Sequence, residues 1–231
     1  MSAKDPNQSS SRIVSAVGGA LYVAIIALGI YEEFFVRNRL VVTGNAVATA
    51  KNLAAMQPLW RTGVAAEIVL LICAITLTAI LFILLRPVSR GLALLVVFFN
   101  LVSVAVEGVA ALFLVIALFP LGNAAYLKAF GSDQLAAIAS MAIRAHSYGF
   151  SVALIFFGCE CLLLGYLIFK SGFLPKTIGV LMAAAGVAYL THSFTLILIP
   201  KLTSVFVPAI FLPAFVGESS FAMWLLLKGV K

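Results

Sequence analysis

The chain has 231 residues, 64% hydrophobic and 10% charged, with 15 Lys and Arg against 8 Asp and Glu for a net charge of +7. Its mean hydropathy is +1.18. Soluble domains carry about 45–50% apolar and about 25% charged residues, so a soluble core is excluded. The basic residues stand singly or in pairs at the ends of apolar runs rather than in a stripe, so the charge does not point to nucleic acid.

Residues 1–11 are polar and Ser-rich and are expected to form a disordered tail, ahead of a single transmembrane domain over residues 12–231. The first apolar run, Ile13–Phe35, is longer than the about 7–15 residues of a signal-peptide core and is read as a retained helix. It ends with Glu32 and Glu33, read as a solvated span end beside Arg37 and Arg39. The connector that follows holds TGNAVATAKNLAAM, where Thr43 or Asn45 is placed to cap a short amphipathic helix.

The second run, Thr62–Leu85, carries Glu67, and the third, Gly91–Phe119, carries Asn100, Ser103 and Glu107. A second connector contains GSDQLAAIAS, where Ser132 or Asp133 is placed to cap another short helix. The fourth run, Ala142–Phe169, holds Arg144, His146 and Glu160, and the fifth, Leu174–Ile199, holds His192. In the fifth, Gly179 and Ala183 form a small-xxx-small step for close helix packing. The sixth, Val205–Leu227, contains Pro208, Pro213, Gly217 and Glu218, and Pro213 is expected to kink it. Each run exceeds about 20 residues, enough to cross a bilayer core. The fold class is therefore all-α: a six-helix transmembrane bundle with short amphipathic helices on its outer side.

Orientation rests on the Lys/Arg bias. One side holds Lys4, Arg12, Arg86, Arg90, Lys170, Lys176, Lys228 and Lys231. The other holds Arg37, Arg39, Lys51, Lys128 and Lys201, with Arg61 and Arg144 at or inside helix starts. This modest bias places both termini in the cytoplasm.

Every run carries an ionisable side chain, and each carboxylate near the bilayer centre costs about 2.5–3.5 kcal/mol. At about 100° per residue, Asn100, Ser103 and Glu107 share a stripe, His146 and Glu160 lie about 40° apart, and Glu67 and Thr78 share a face. Convergence on a polar interior follows, with Glu160 and Glu218 at its floor and no cation of comparable depth. Desolvation disfavours a lone charge, which makes these two candidate proton or cation sites. Arg61 and Arg144 either snorkel to the interface or pair with Glu67 or Glu107. His146 and His192 are either hydrogen-bonded core histidines or members of the site. The ligand- or ion-binding candidates are Glu67, Asn100, Glu107, Arg144, His146, Glu160, His192 and Glu218.

Cys73, Cys159 and Cys161 lie inside apolar runs without CxxC spacing and read as packed thiols. There is no phosphate-binding glycine loop, no HExxH and no GxSxG elbow, and two histidines rule out a three-His zinc site. No cofactor, metal site or catalytic residue is assigned. A Ser–His–Glu arrangement from Ser103 or Ser147 with His146 or His192 is the one nucleophilic constellation that can be drawn.

Four stretches carry a resemblance: TGNAVATAKNL followed by LWRTGVAAEI, HSYGFSVALIFFGCECLLLGYLIFKSGFLPKTIGVL, and PAFVGESSFAMWLLLKG. Together the chain from Arg12 onward resembles the bacterial integral-membrane family catalogued as domain of unknown function 4386. In that family an acid often stands where this chain has Asn45, and an Asp where it has Glu67. The resemblance implies a six-helix protein of the plasma (inner) membrane of a bacterium and no activity. Function therefore rests on the residues. The leading expectation is a bundle that binds or transports a proton, an ion or a small cationic or amphipathic molecule, through a carboxylate-lined cavity open to the outer side. The alternatives are an accessory or sensory subunit pinned by ion pairs, and a lipid-modifying enzyme using His146, His192 and Glu107. Oligomeric state is left open.

Overall fold

Long apolar runs without water leave each backbone amide only its own helix to bond with, and the chain answers with helices throughout. A computed structural model describes residues 6–229, with side chains described for residues 11–202 and 211–229. Helix α1 is Pro6–Ile30; it continues through a π-helical stretch, Tyr31–Arg37, and a last turn, Asn38–Leu40. Then come α2 (Ala46–Ala55), α3 (Gln57–Leu85), α4 (Arg90–Ile116), α5 (Ser132–Lys170), α6 (Lys176–Leu198) and α7 (Pro200–Leu227). Short 3-10 turns, Phe119–Leu121 and Ala125–Ala129, link α4 to α5. No strand occurs among the described residues.

Five stretches among the described residues are long and apolar enough to cross a membrane: Ser11–Leu40, Gln57–Leu85, Arg90–Leu121, Ser132–Lys170 and Lys176–Leu198. In α7 the described apolar part, Phe211–Leu227, is shorter. Two boundaries differ from the sequence expectation. Helix α1 reaches back to Pro6, into the stretch expected to be a tail, while residues 1–5 lie outside the described residues. The second short amphipathic helix is not separate: Ser132 opens α5 itself, a 39-residue rod. Residues 132–148 hold neither Gly nor Pro, so nothing in them breaks the helix. The side chains around Pro208, and the carbonyl that Pro213 would free, lie outside the described set, whereas α7 is helical through Pro213.

Consecutive long helices pack side by side, α3 on α4, α4 on α5, α5 on α6 and α6 on α7, while α1 touches both α3 and α7. The six long helices thus close a ring. Close approach is bought with small residues. On α5, Gly158 and Gly165 are seven apart, as are Gly179 and Gly186 on α6. A Cβ on Gly165 would sit 2.6 Å from the Gly179 carbonyl oxygen, and one on Gly158 would sit 3.0 Å from that of Gly186. The ring closes where a Cβ on Gly19 would meet the Leu226 backbone nitrogen at 2.4 Å, and Ser15 Oγ donates to the Leu225 carbonyl at 3.2 Å.

Two apolar clusters form the core. One, around Leu81, Leu85, Val96, Leu164, Met182 and Phe221, fills the end where α3 meets α4. The other, around Val36, Leu53, Trp60, Leu114 and Ile143, fills the end that carries α2. Along α4 they are separated by the 18 residues from Val96 to Leu114, about 27 Å at 1.5 Å per residue. The interior polar groups lie between the clusters and at the edge of the first, which takes in Tyr22 and Cys161.

Candidate functional site

The polar middle layer divides into two stations. The first lies near the α2 end. His146 of α5 and Glu67 of α3 are buried, and His146 Nε2 is 3.0 Å from Glu67 Oε1. His146 stacks on Phe150 one turn later, with ring centroids 6.2 Å apart. Glu107 of α4 is half-buried, makes no hydrogen bond among the described residues, and lies in the electrostatic field of Glu67, Glu32 and Arg37. Arg37 pairs with Glu32 inside the π-helical stretch, and its Nε is 3.4 Å from Glu33 Oε2. The π winding sets Glu32 and Arg37, five residues apart, within reach of each other. The expected solvated span end is thus a largely buried ion pair.

The second station draws on five helices. Asn100 Nδ2 of α4 donates to Glu160 Oε2 of α5 at 3.0 Å. The carboxylate of Glu218 on α7 accepts a hydrogen bond from Tyr189 of α6, and the Tyr22 phenol of α1 lies beside it. Glu160 and Glu218 act on one another through space, and Cys161 lies within the same field. Both carboxylates are buried, at 2% and 8% exposure. No cation pairs with either among the described residues. His192 of α6 is also buried, with its ring 4.8 Å from that of Phe211. Phe157 and Phe211 flank Tyr189 at 5.2 and 5.9 Å.

Several buried polar atoms have no hydrogen-bond partner among the described residues: Glu67 Oε2, Asn100 Oδ1, and Nδ1 of both His146 and His192. Buried polar groups left unpaired cost about 1–3 kcal/mol each. Their clustering in one layer gives the interior spare capacity to bind something polar.

Seven of the eight candidates reach this layer, and Arg144 does not. Its side chain is exposed and makes no ion pair among the described residues. It stands two positions from His146, about 200° round the helix, so one faces out when the other faces in. The partner expected for Glu67 is supplied by His146 instead. Ser103 and Ser147 donate to the carbonyls of Ala153 and Ile143, at 2.9 and 3.2 Å, and neither bonds a histidine. The Ser–His–Glu arrangement is therefore not formed among the described residues. Sequence reasoning missed Tyr22 altogether, and it did not link Tyr189 to Glu218 or Asn100 to Glu160. The signal for Tyr22 was a phenol in the middle of the first apolar run, between Leu21 and Val23.

Two open cavities, of about 280 and 390 Å³, lie at the α2 end. Neither is lined by an interior carboxylate.

The family model described as domain of unknown function (DUF4386) matches residues 17–229. The chain belongs to this family. It is also 31% identical, over 163 residues, to an uncharacterized protein of Archaeoglobus fulgidus, covering 70% of this chain and 80% of that one. No solved structure matches. The DUF4386 chain described here is a helical membrane protein, and both stations fall within the span of the match.

Proposed function

We propose that the protein binds a proton or a small monovalent cation within the membrane and passes it between the two stations. In this reading α7 is the sixth crossing, so that both termini lie on one side, the cytoplasmic face of a bacterial plasma membrane. One observation carries the proposal: Glu160 and Glu218 are buried together with neutral partners only, namely Asn100, Tyr189 and Tyr22. A buried carboxylate without a counter-charge is very costly and is stable only when a proton or cation neutralises it. Glu107, half-buried in the first station and seven residues along α4 from Asn100, is the stepping point.

The test is reconstitution into liposomes carrying an internal pH dye, with a potassium diffusion potential as driving force. Wild type should acidify the lumen faster than protein-free vesicles, and Glu160→Gln and Glu218→Gln should each lose most of that rate. Equal rates in wild type, both variants and empty vesicles would overturn the proposal.

A second reading is an accessory or sensory subunit whose charges pin helices. The pairs Glu67–His146 and Glu32–Arg37 favour it, since each joins charged or titratable groups in a largely buried setting. The enzyme reading draws less support, because His146 and His192 share no hydrogen-bond network among the described residues.

A further inference from the structure

We infer that the cavity between the start of α3 and the end of α4 binds the phosphate of an anionic lipid headgroup, with Arg61 as its cation. The cavity is about 280 Å³, and no acidic residue lines it. Arg61 is exposed and makes no ion pair or hydrogen bond among the described residues. Gln57 precedes it by four residues and so shares its helix face. Asn123 and Tyr126 bring an amide and a phenol from the linker after α4. Arg61 therefore sits among donors with no carboxylate to hold it.

Two independent features point to an anion that arrives on a lipid. Helix α3 begins without a side-chain cap, so its N-terminal amides favour negative charge. The opposite wall is apolar: Val115 and Phe119 line the cavity and are exposed, at 36% and 56%. A polar end beside an apolar wall matches a headgroup joined to acyl chains, whereas free phosphate has no use for that wall. The position agrees, because Tyr126 and Phe130 are exposed at the same end of the helices, where aromatic side chains mark the headgroup layer. Arginine suits the role, as its planar guanidinium holds two phosphate oxygens at once.

The experiment uses the full chain in neutral detergent, with bound lipid counted by native mass spectrometry and affinity read from titration. The probes are phosphatidylglycerol, phosphatidylcholine and inorganic phosphate. Phosphatidylglycerol should bind at least tenfold more tightly than phosphatidylcholine, and Arg61→Gln should remove about a tenfold share of that affinity. Arg144→Gln, which alters another exposed arginine away from the cavity, should leave it unchanged. Asn123→Ala serves as a second variant, on an exposed linker, should Arg61→Gln fail to fold. Equal phosphatidylglycerol binding in wild type and the cavity variants overturns the site. Competition by inorganic phosphate at equal concentration overturns the lipid as its source.

Discussion

Replacing Gly165 by Ala tests whether the α5–α6 contact positions the interior carboxylates. Gly165 lies in mid-helix, where Ala is favoured over Gly by about 0.8–1.0 kcal/mol. The packing argues the other way. The new Cβ would meet the Gly179 carbonyl oxygen at 2.6 Å and the Ala183 nitrogen at 2.7 Å, where ordinary contact begins at 3.4 Å. Both obstacles are backbone, so neither can rotate aside, and the helices must part by about 0.8 Å (3.4 minus 2.6). Overpacking of this kind costs about 1–3 kcal/mol. The upper end applies, because parting the helices also loosens Leu164, Ile168, Ile178 and Met182, all buried here. The net expectation is a loss of about 2 kcal/mol, after the gain in helix propensity. Gly108→Ala is the control, since its Cβ would meet only Leu71 Cδ1 at 3.6 Å. It should be neutral or stabilising by up to about 1 kcal/mol. Reversible unfolding in mixed micelles, followed by circular dichroism, measures both. Gly165→Ala as stable as Gly108→Ala would refute the reasoning.

Three further outcomes are expected. Glu67→Leu should destabilise by about 3 kcal/mol by orphaning buried His146, while the double change with His146→Leu should recover most of the loss; an additive double mutant in the same unfolding assay would mean the pair is not coupled. Asn100→Leu removes the one donor to Glu160 among the described residues and should cost about 1–3 kcal/mol while slowing vesicle acidification as Glu160→Gln does. Unchanged flux would show that Asn100 does not serve the carboxylate. Trp60→Phe keeps an aromatic ring but loses part of the indole's volume and the Nε1–H that donates to the Leu114 carbonyl at 2.9 Å, in the last turn of α4. It should lower stability by about 1–2 kcal/mol, read by the same unfolding curve, and a loss below a few tenths would remove that bond from the account.

The helices were legible because run length and hydropathy act on one helix at a time. Asn45, one of two proposed caps, does accept from the Ala48 amide at 2.9 Å. The helix at Ser132 was also foreseen, but not its fusion with the span beyond, since a polar start resembles a connector even when nothing in it breaks a helix. Periodicity placed Glu67, Asn100, His146 and Glu160 on inward faces, and all four are buried. The same arithmetic applied to Arg144 against His146 would have turned the arginine outward. What the sequence could not supply was partnership between helices. The glycine step at Gly179 was visible, yet its counterpart Gly165 emerges only when α5 and α6 are laid side by side. Likewise Tyr22 and Glu218 are 196 positions apart, and no local pattern joins them.

The order of the ring has a consequence for biogenesis. Each long helix after α3 finds its packing partner in the one made just before it, so most of the bundle can assemble as it leaves the ribosome. Its seam is different, because α1 must wait for α7 before Gly19 and Ser15 meet Leu226 and Leu225. Until that late join, the Tyr22 phenol has no Glu218 beside it, and one of the two stations does not yet exist.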